Sequence, residues 1–142
     1  ARARHHTPPV LPMAALSWLG KPVPPPPRVA GSRSGNTYYA CVQAEESGER
    51  IAVNDCVEVS GSAGPFVAQV LALWEDASGV PKFRARWFYR CEDMPPHVLS
   101  RLGRPPARGG EVFLSPVTDD NDLRTVLGLA DLRAVGDSSE SE

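Results

Sequence analysis

The segment KFRARWFYRCED, residues 82–93, sets Trp87, Phe88 and Tyr89 among basic residues and closes on the acids Glu92 and Asp93. Side chains alternate faces along a strand. In 82–90 one face then carries Phe83, Ala85, Trp87 and Tyr89, and the other Lys82, Arg84, Arg86, Phe88 and Arg90. Trp87 and Tyr89 share a face, about 7 Å apart along the strand. Phe88 breaks the alternation and must pack locally or lie where the strand leaves its sheet. If the run 65–74 pairs with 82–90 through the intervening loop, Phe66 lands at the end that holds Tyr89. Three aromatics converging there could hold a methylated ammonium. The π faces attract the cation, and its methyl groups favour an apolar wall over water. The same aromatics could equally be core side chains, and their spacing alone does not separate the two uses.

The elements that would position these residues can be read from the turn signals. TYYACVQA (37–44), IAVNDCVEVS (51–60, with a bend at Asn54-Asp55), PFVAQVLALW (65–74), KFRARWFYR (82–90), EVFLS (111–115) and LADLRAV (129–135) read as strands. EDASGVP (75–81) reads as a hairpin connection and DDNDLRTV (119–126) as a turn region. ARARHH (1–6) reads as a short edge strand stopped by the prolines after it. MAALSWLG (13–20) reads as two helical turns, and KPVPPPPRVAGSRSGN (21–36) as polyproline II followed by flexible chain. Residues 94–110 form a loop with one helical turn at HVLSRL, and GDSSESE is a solvated acidic tail. Short strands at regular spacing predict a mainly β protein, a small distorted β-barrel with long peripheral loops and short helical turns.

Composition narrows the functions. The 142 residues suit one domain. There is no apolar run long enough to span a membrane, and no apolar stretch after ARARHH to make a signal peptide. The chain is read as a piece of a larger protein. Cys41, Cys56 and Cys91 form no CxxC pair and read as reduced thiols of an intracellular protein; His5 and His6 lack zinc spacing with any of them. Residues 1–36 carry five cations and no acid, which leaves 10 basic and 17 acidic side chains for residues 37–142. That body is a poor general DNA binder and suits a basic partner. Arg101, Arg104 and Arg108 offer a local route to DNA, or simply a solvated loop. No GxGxxG, P-loop or Pro-Cys nucleophile loop is present, and His97 has no evident nucleophile beside it, so no enzyme and no cofactor are expected.

These motifs in this order resemble the bromo-adjacent homology (BAH) domain. FRARWFYRCED, then EVFLS, then DDND carry the likeness. ALWED (72–76) and YYACVQ are similar to maintenance DNA cytosine methyltransferases, and KFRARWFYRCED with VFLSPVTDDND to plant chromomethylases, whose opening basic strand ARARHH also resembles. The likeness covers an opening strand at 1–6 and a body at 37–135. Between them 7–36 reads as a Pro/Gly-rich insertion, and 136–142 as a tail.

The resemblance implies a nuclear chromatin reader whose aromatic cage binds a methylated histone lysine and targets a DNA cytosine methyltransferase to nucleosomes. By position the cage would be Phe66, Trp87 and Tyr89, with Glu92, Asp93, Asp120 and Asn121 contacting the peptide. The implied marks are methylated lysine 9 of histone H3, then methylated lysine 20 of histone H4. The other implied role is an interaction module or intramolecular scaffold for other domains of a parent methyltransferase. Trp18 in the insertion could pack on the body or meet a partner.

Overall fold

In the computed structural model, residues 2–6, 15–26, 35–61, 65–90 and 111–134 are described. They form eleven strands: β1 (Arg2–His6), β2 (Leu16–Leu19), β3 (Thr37–Tyr39), β4 (Cys41–Ala44), β5 (Arg50–Ala52), β6 (Cys56–Val59), β7 (Phe66–Glu75), β8 (Pro81–Arg90), β9 (Glu111–Asp122), β10 (Val126–Leu129) and β11 (Asp131–Ala134). A 3-10 turn, Leu123–Thr125, joins β9 to β10. The mainly β class holds. No α-helix occurs among the described residues, so none there could cross a membrane.

The larger sheet runs β10-β6-β7-β8-β9-β1-β11, with β3 beside the second half of β7; β2-β4-β5 form a smaller one. No ladder among the described residues joins β10 to β11, so the sheet is not a closed barrel. The hairpin at 76–80 forms as expected. Asp76 Oδ1 accepts from Ser78 N (2.9 Å) and Val80 N (3.0 Å), and Gly79 takes the positive φ (84°) that the turn requires. At the predicted bend Asn54 also has positive φ, 83°, which Asn tolerates better than most residues. That bend carries the chain from the small sheet (β5) into the large one (β6).

Four local expectations fail, each because a distant partner overrides local pattern. Leu16–Leu19 is a strand, not helix: it ladders with Cys41–Ala44, and so short a helix would have no stability of its own. ARARHH is not an edge, because β1 lies between β9 and β11. TYYACVQA is two strands, split at Ala40 between the two sheets. The segment DDND is not a turn but the last stretch of β9, held by pairing of Asp119–Asp122 with Ala85–Lys82. HVLSRL and the acidic tail lie outside the described residues.

The main core lies between the two sheets. Val42 and Ile51 of the small sheet meet Val57, Val70, Leu73, Phe83 and Ala85 of the large one, with Leu123 and Val126 closing the end. A second cluster of Val67, Phe88 and Val112 explains Phe88, which turns away from Phe83 and Ala85 and is buried there. Bulges at Val70/Ala72 and Arg86/Phe88 shift the alternation so that both faces of β7 and β8 can be covered.

Asp122 secures the 3-10 turn. Its carboxylate accepts from Arg124 N (2.9 Å) and pairs with the Arg124 guanidinium (2.7 Å). The hydrogen bonds from Arg124 hold the Asp122 carboxyl below its ordinary range, against a smaller opposing effect of burial. A depressed carboxylate pKa contributes stability that is present above its unfolded value and is lost as pH falls through the folded one. Asp122→Ala is therefore expected to cost about 1 kcal/mol near neutral pH, as loss of an N-cap does. The gap to wild type should close on acidification through the carboxylate range, as read by denaturant melts across acid pH.

Candidate functional site

The antiparallel β7–β8 ladder sets Val67 opposite Phe88 and Ala68 opposite Trp87. Phe66, the first residue of β7, is therefore carried to the end of β8 that bears Tyr89. Its ring meets Trp87 edge-to-face, with centroids 6.4 Å apart and planes at 80°. Such perpendicular pairs are favoured by the aromatic quadrupole, and they leave two walls of a corner.

The other side of β8 explains why Trp87 is not fully sunk. The β8–β9 register shifts between Arg86↔Thr118 and Phe88↔Leu114, so Ser115, Pro116 and Val117 face Trp87 alone. Pro116 has no N–H to give a ladder, and a bulge is where strands accept proline. The bulge is pinned rather than loose. Ser115 Oγ donates to Trp87 O (2.9 Å), Val117 N donates to Ser115 Oγ (3.2 Å) and Arg86 Nε donates to Ser115 O (2.7 Å). Trp87 thus packs one side on the main core while remaining partly exposed.

Phe66, Trp87 and Tyr89 all line one open cleft of about 600 Å³. The lining also includes Val59 at the end of β6, Ser60 and Gly61 after it, Val117 from the bulge, and Asn121 and Thr125 at either end of the β9 to 3-10 turn junction. The lining is therefore partly aromatic and partly polar. Arg90 adds a cation outside that lining: its Cζ lies 4.8 Å from the Phe66 ring centroid, within cation–π range.

The expected peptide contacts separate. Asn121 lines the cleft, and its Nδ2 is buried with no hydrogen-bond partner. Asp120 instead is engaged by Arg84, with Nε–Oδ1 at 2.7 Å and Nη2–Oδ2 at 3.1 Å. The hydrogen bond to Asp120 holds the Arg84 guanidinium above its usual range. Both side chains are partly solvated, 25% and 42% exposed, so the pair is worth well under about 1 kcal/mol. Glu92, Asp93, Cys91, His97 and the arginines at 101, 104 and 108 lie outside the described residues. Among the described residues, no group of three or more His, Cys, Asp or Glu is placed to hold a metal.

A smaller cleft of about 210 Å³ lies beside the β7–β8 hairpin, lined by Leu16, Trp18, Glu75 and Arg124 among others. Trp18 stacks flat on Tyr39 (4.5 Å, 8°) and donates Nε1–H to Glu75 Oε1 at 2.9 Å. Its ring and its only donor are thus used within the fold.

Residues Ser60, Gly61, Val117 and Thr125 were not legible as cleft residues in the sequence. Pro116, inside an otherwise strand-like run, is the one signal that a bulge would open a space beside Trp87.

Comparison with known proteins follows the same stretch of chain. The family model described as BAH domain matches residues 49–142. The chain is similar to DNA (cytosine-5)-methyltransferase 1 of Mus musculus, 41% identical over 76 residues, which is 51% of this chain and 4% of that protein. It is similar to the putative DNA (cytosine-5)-methyltransferase CMT1 of Arabidopsis thaliana, 41% identical over 81 residues, 56% of this chain and 10% of that protein. It is also similar to origin recognition complex subunit 1 of Homo sapiens, 30% identical over 124 residues, 80% of this chain and 14% of that protein. The chain thus spans a small fraction of the length of each relative.

Proposed function

The chain belongs to the BAH domain family, and from that premise we propose that it is a chromatin-reader module that binds a methylated histone lysine through Phe66, Trp87 and Tyr89. The observation that carries this reading is the perpendicular Phe66–Trp87 corner, open on a cleft that Tyr89 also lines. A methylammonium seated there meets π faces and gives its methyl groups apolar contact. The similarity to two DNA cytosine methyltransferases supports a role in bringing such an enzyme to nucleosomes, hence in the nucleus. Lysine 9 of histone H3 is the favoured mark and lysine 20 of histone H4 the next. The chemistry is binding, with catalysis left to another part of a parent protein.

Two features suit an extended basic tail. Residues 116–120 are all exposed, and β1 pairs with β9 only at Glu111–Phe113, so among the described residues the outer edge of β9 beyond Phe113 has no ladder partner. An extended peptide could add main-chain hydrogen bonds along that edge. Asp119 and Asp120 are exposed on the same stretch and attract cations. Because Asp120 is already occupied by Arg84, Asp120→Asn is expected to change peptide affinity less than twofold, whereas raising ionic strength should slow association with any basic tail. Stopped-flow titration at several salt concentrations reads both effects.

A protein-interaction module without methyllysine recognition is the competing reading. Arg90 favours it, since it already places a cation over one of the three rings. Calorimetric titration with histone tail peptides, unmodified and mono-, di- or trimethylated at lysines 4, 9, 27 and 36 of H3 and lysine 20 of H4, separates the two. Methyl-dependent binding at one position supports the reader and names its mark. A folded protein that binds none of them leaves the interaction module.

A further inference from the structure

The cleft is larger than a methylammonium needs, and part of its lining is polar. Its volume, about 600 Å³, falls in the range of about 300–1,000 Å³ that accommodates drug-sized ligands. The aromatic corner accounts for only part of that lining. Ser60, Asn121 and Thr125 line it too, and Asn121 Nδ2 is the one buried side-chain nitrogen or oxygen without a partner among the described residues. A buried donor left unmet is costly, and a ligand acceptor would remove that cost.

The fold explains how Asn121 comes to be there. It is paired in register with Phe83, and cross-strand partners share a face. Phe83, Ala85 and Trp87 follow one another on that face of β8, so Asn121 sits on the cage side of the sheet, further in than Trp87. Thr125 Oγ1 donates to Asp122 O at 2.7 Å, which leaves its lone pairs to accept. Ser60 N donates to Thr125 O at 2.9 Å, which ties two parts of the polar lining together. The Ser60 residue is exposed.

We infer that the polar part of this lining is a second subsite, which takes an uncharged hydrogen-bonding side chain, a hydroxyl or a carboxamide, from the same peptide as the methyllysine. The inference rests on the reader function proposed above. In an extended peptide residues an even number apart point the same way, about 7 Å for each pair of residues. One can enter the aromatic corner while the other meets the polar lining. A hydroxyl or carboxamide both accepts and donates, so it answers Asn121 Nδ2 and Thr125 Oγ1 together. The Asn121 carboxamide turns about a soft terminal torsion to meet it.

The test is a double-mutant cycle by calorimetry. The methylated peptide that binds best is substituted with alanine one position at a time, and each version is titrated into wild type, Asn121→Ala and Trp87→Ala. One position on the same side of the peptide as the methyllysine is expected to lose about tenfold against wild type and less than twofold against Asn121→Ala. The same variant is expected to melt about 3 °C higher than wild type, because the unmet donor is gone. Two results would overturn the subsite while sparing the reader. One is methyl-dependent binding that Trp87→Ala abolishes and Asn121→Ala leaves unchanged; the other is an equal loss at every peptide position in both backgrounds. Absence of binding by every methylated peptide removes both proposals.

Discussion

Trp87→Ala is expected to abolish methyl-dependent peptide binding, with a loss of at least about 50-fold, while leaving a folded domain. Truncating an aromatic at the centre of a binding site commonly costs more than about 2 kcal/mol, and each tenfold in affinity is about 1.4 kcal/mol. Here the ring supplies one wall directly and also abuts Phe66 edge-to-face. Its removal therefore takes away one face and releases a second. The fold should survive because Trp87 is only partly buried and packs at the margin of the main core. A truncation there costs about 1–2 kcal/mol, within the range of ordinary substitutions. The pair of measurements that checks this is calorimetry with the best methylated peptide and a denaturant melt of the same protein. Retention of full affinity in the folded variant would move the methyllysine site elsewhere. Trp87→Phe keeps a smaller π face and should recover part of the binding.

Phe83→Ala, four residues earlier on the same strand face, is expected to act in the opposite way. Phe83 is fully buried, at 0% exposure, among Val70, Leu73, Leu123 and their neighbours in the main core. Deleting a buried phenyl ring costs about 3–5 kcal/mol in transfer free energy and cavity. Domains of this size have about 5–15 kcal/mol in all. The variant should show a much lower unfolding midpoint, or no cooperative transition at physiological temperature. Any peptide binding it loses should follow the folded fraction. A melt indistinguishable from wild type would mean that the two sheets do not share the core described. Together the two substitutions divide one strand face into a part that holds the domain together and a part that meets solvent.

That division was half legible in the sequence. Alternation along 82–90 was enough to place Phe83, Ala85 and Trp87 on one face, and DASGV was enough to fold β7 back on β8. Both follow from local rules: a period of two, and turn residues that supply their own hydrogen bonds. From these it also followed that Phe66 would reach the Tyr89 end. Which of the same-face aromatics would be buried did not follow, because it depends on what covers them. The small sheet covers Phe83 and Ala85, and the bulge at Ser115–Val117 leaves Trp87 partly open.

Where several outcomes were locally acceptable, only tertiary structure decided. LSWL became a strand because β4 offered it a ladder, ARARHH became an interior strand because β9 and β11 flank it, and DDND became the end of β9 because β8 continued beside it. Asn121 is the clearest case. The sequence by itself put an asparagine near a motif. Its register with Phe83 turned it toward the cleft, and the enclosing walls left its nitrogen without an acceptor. Local sequence determined the alternation and the turns, because those depend on neighbours along the chain. Burial, ladder membership and an unmet hydrogen bond depend on residues far away in sequence, and only the folded arrangement could set them.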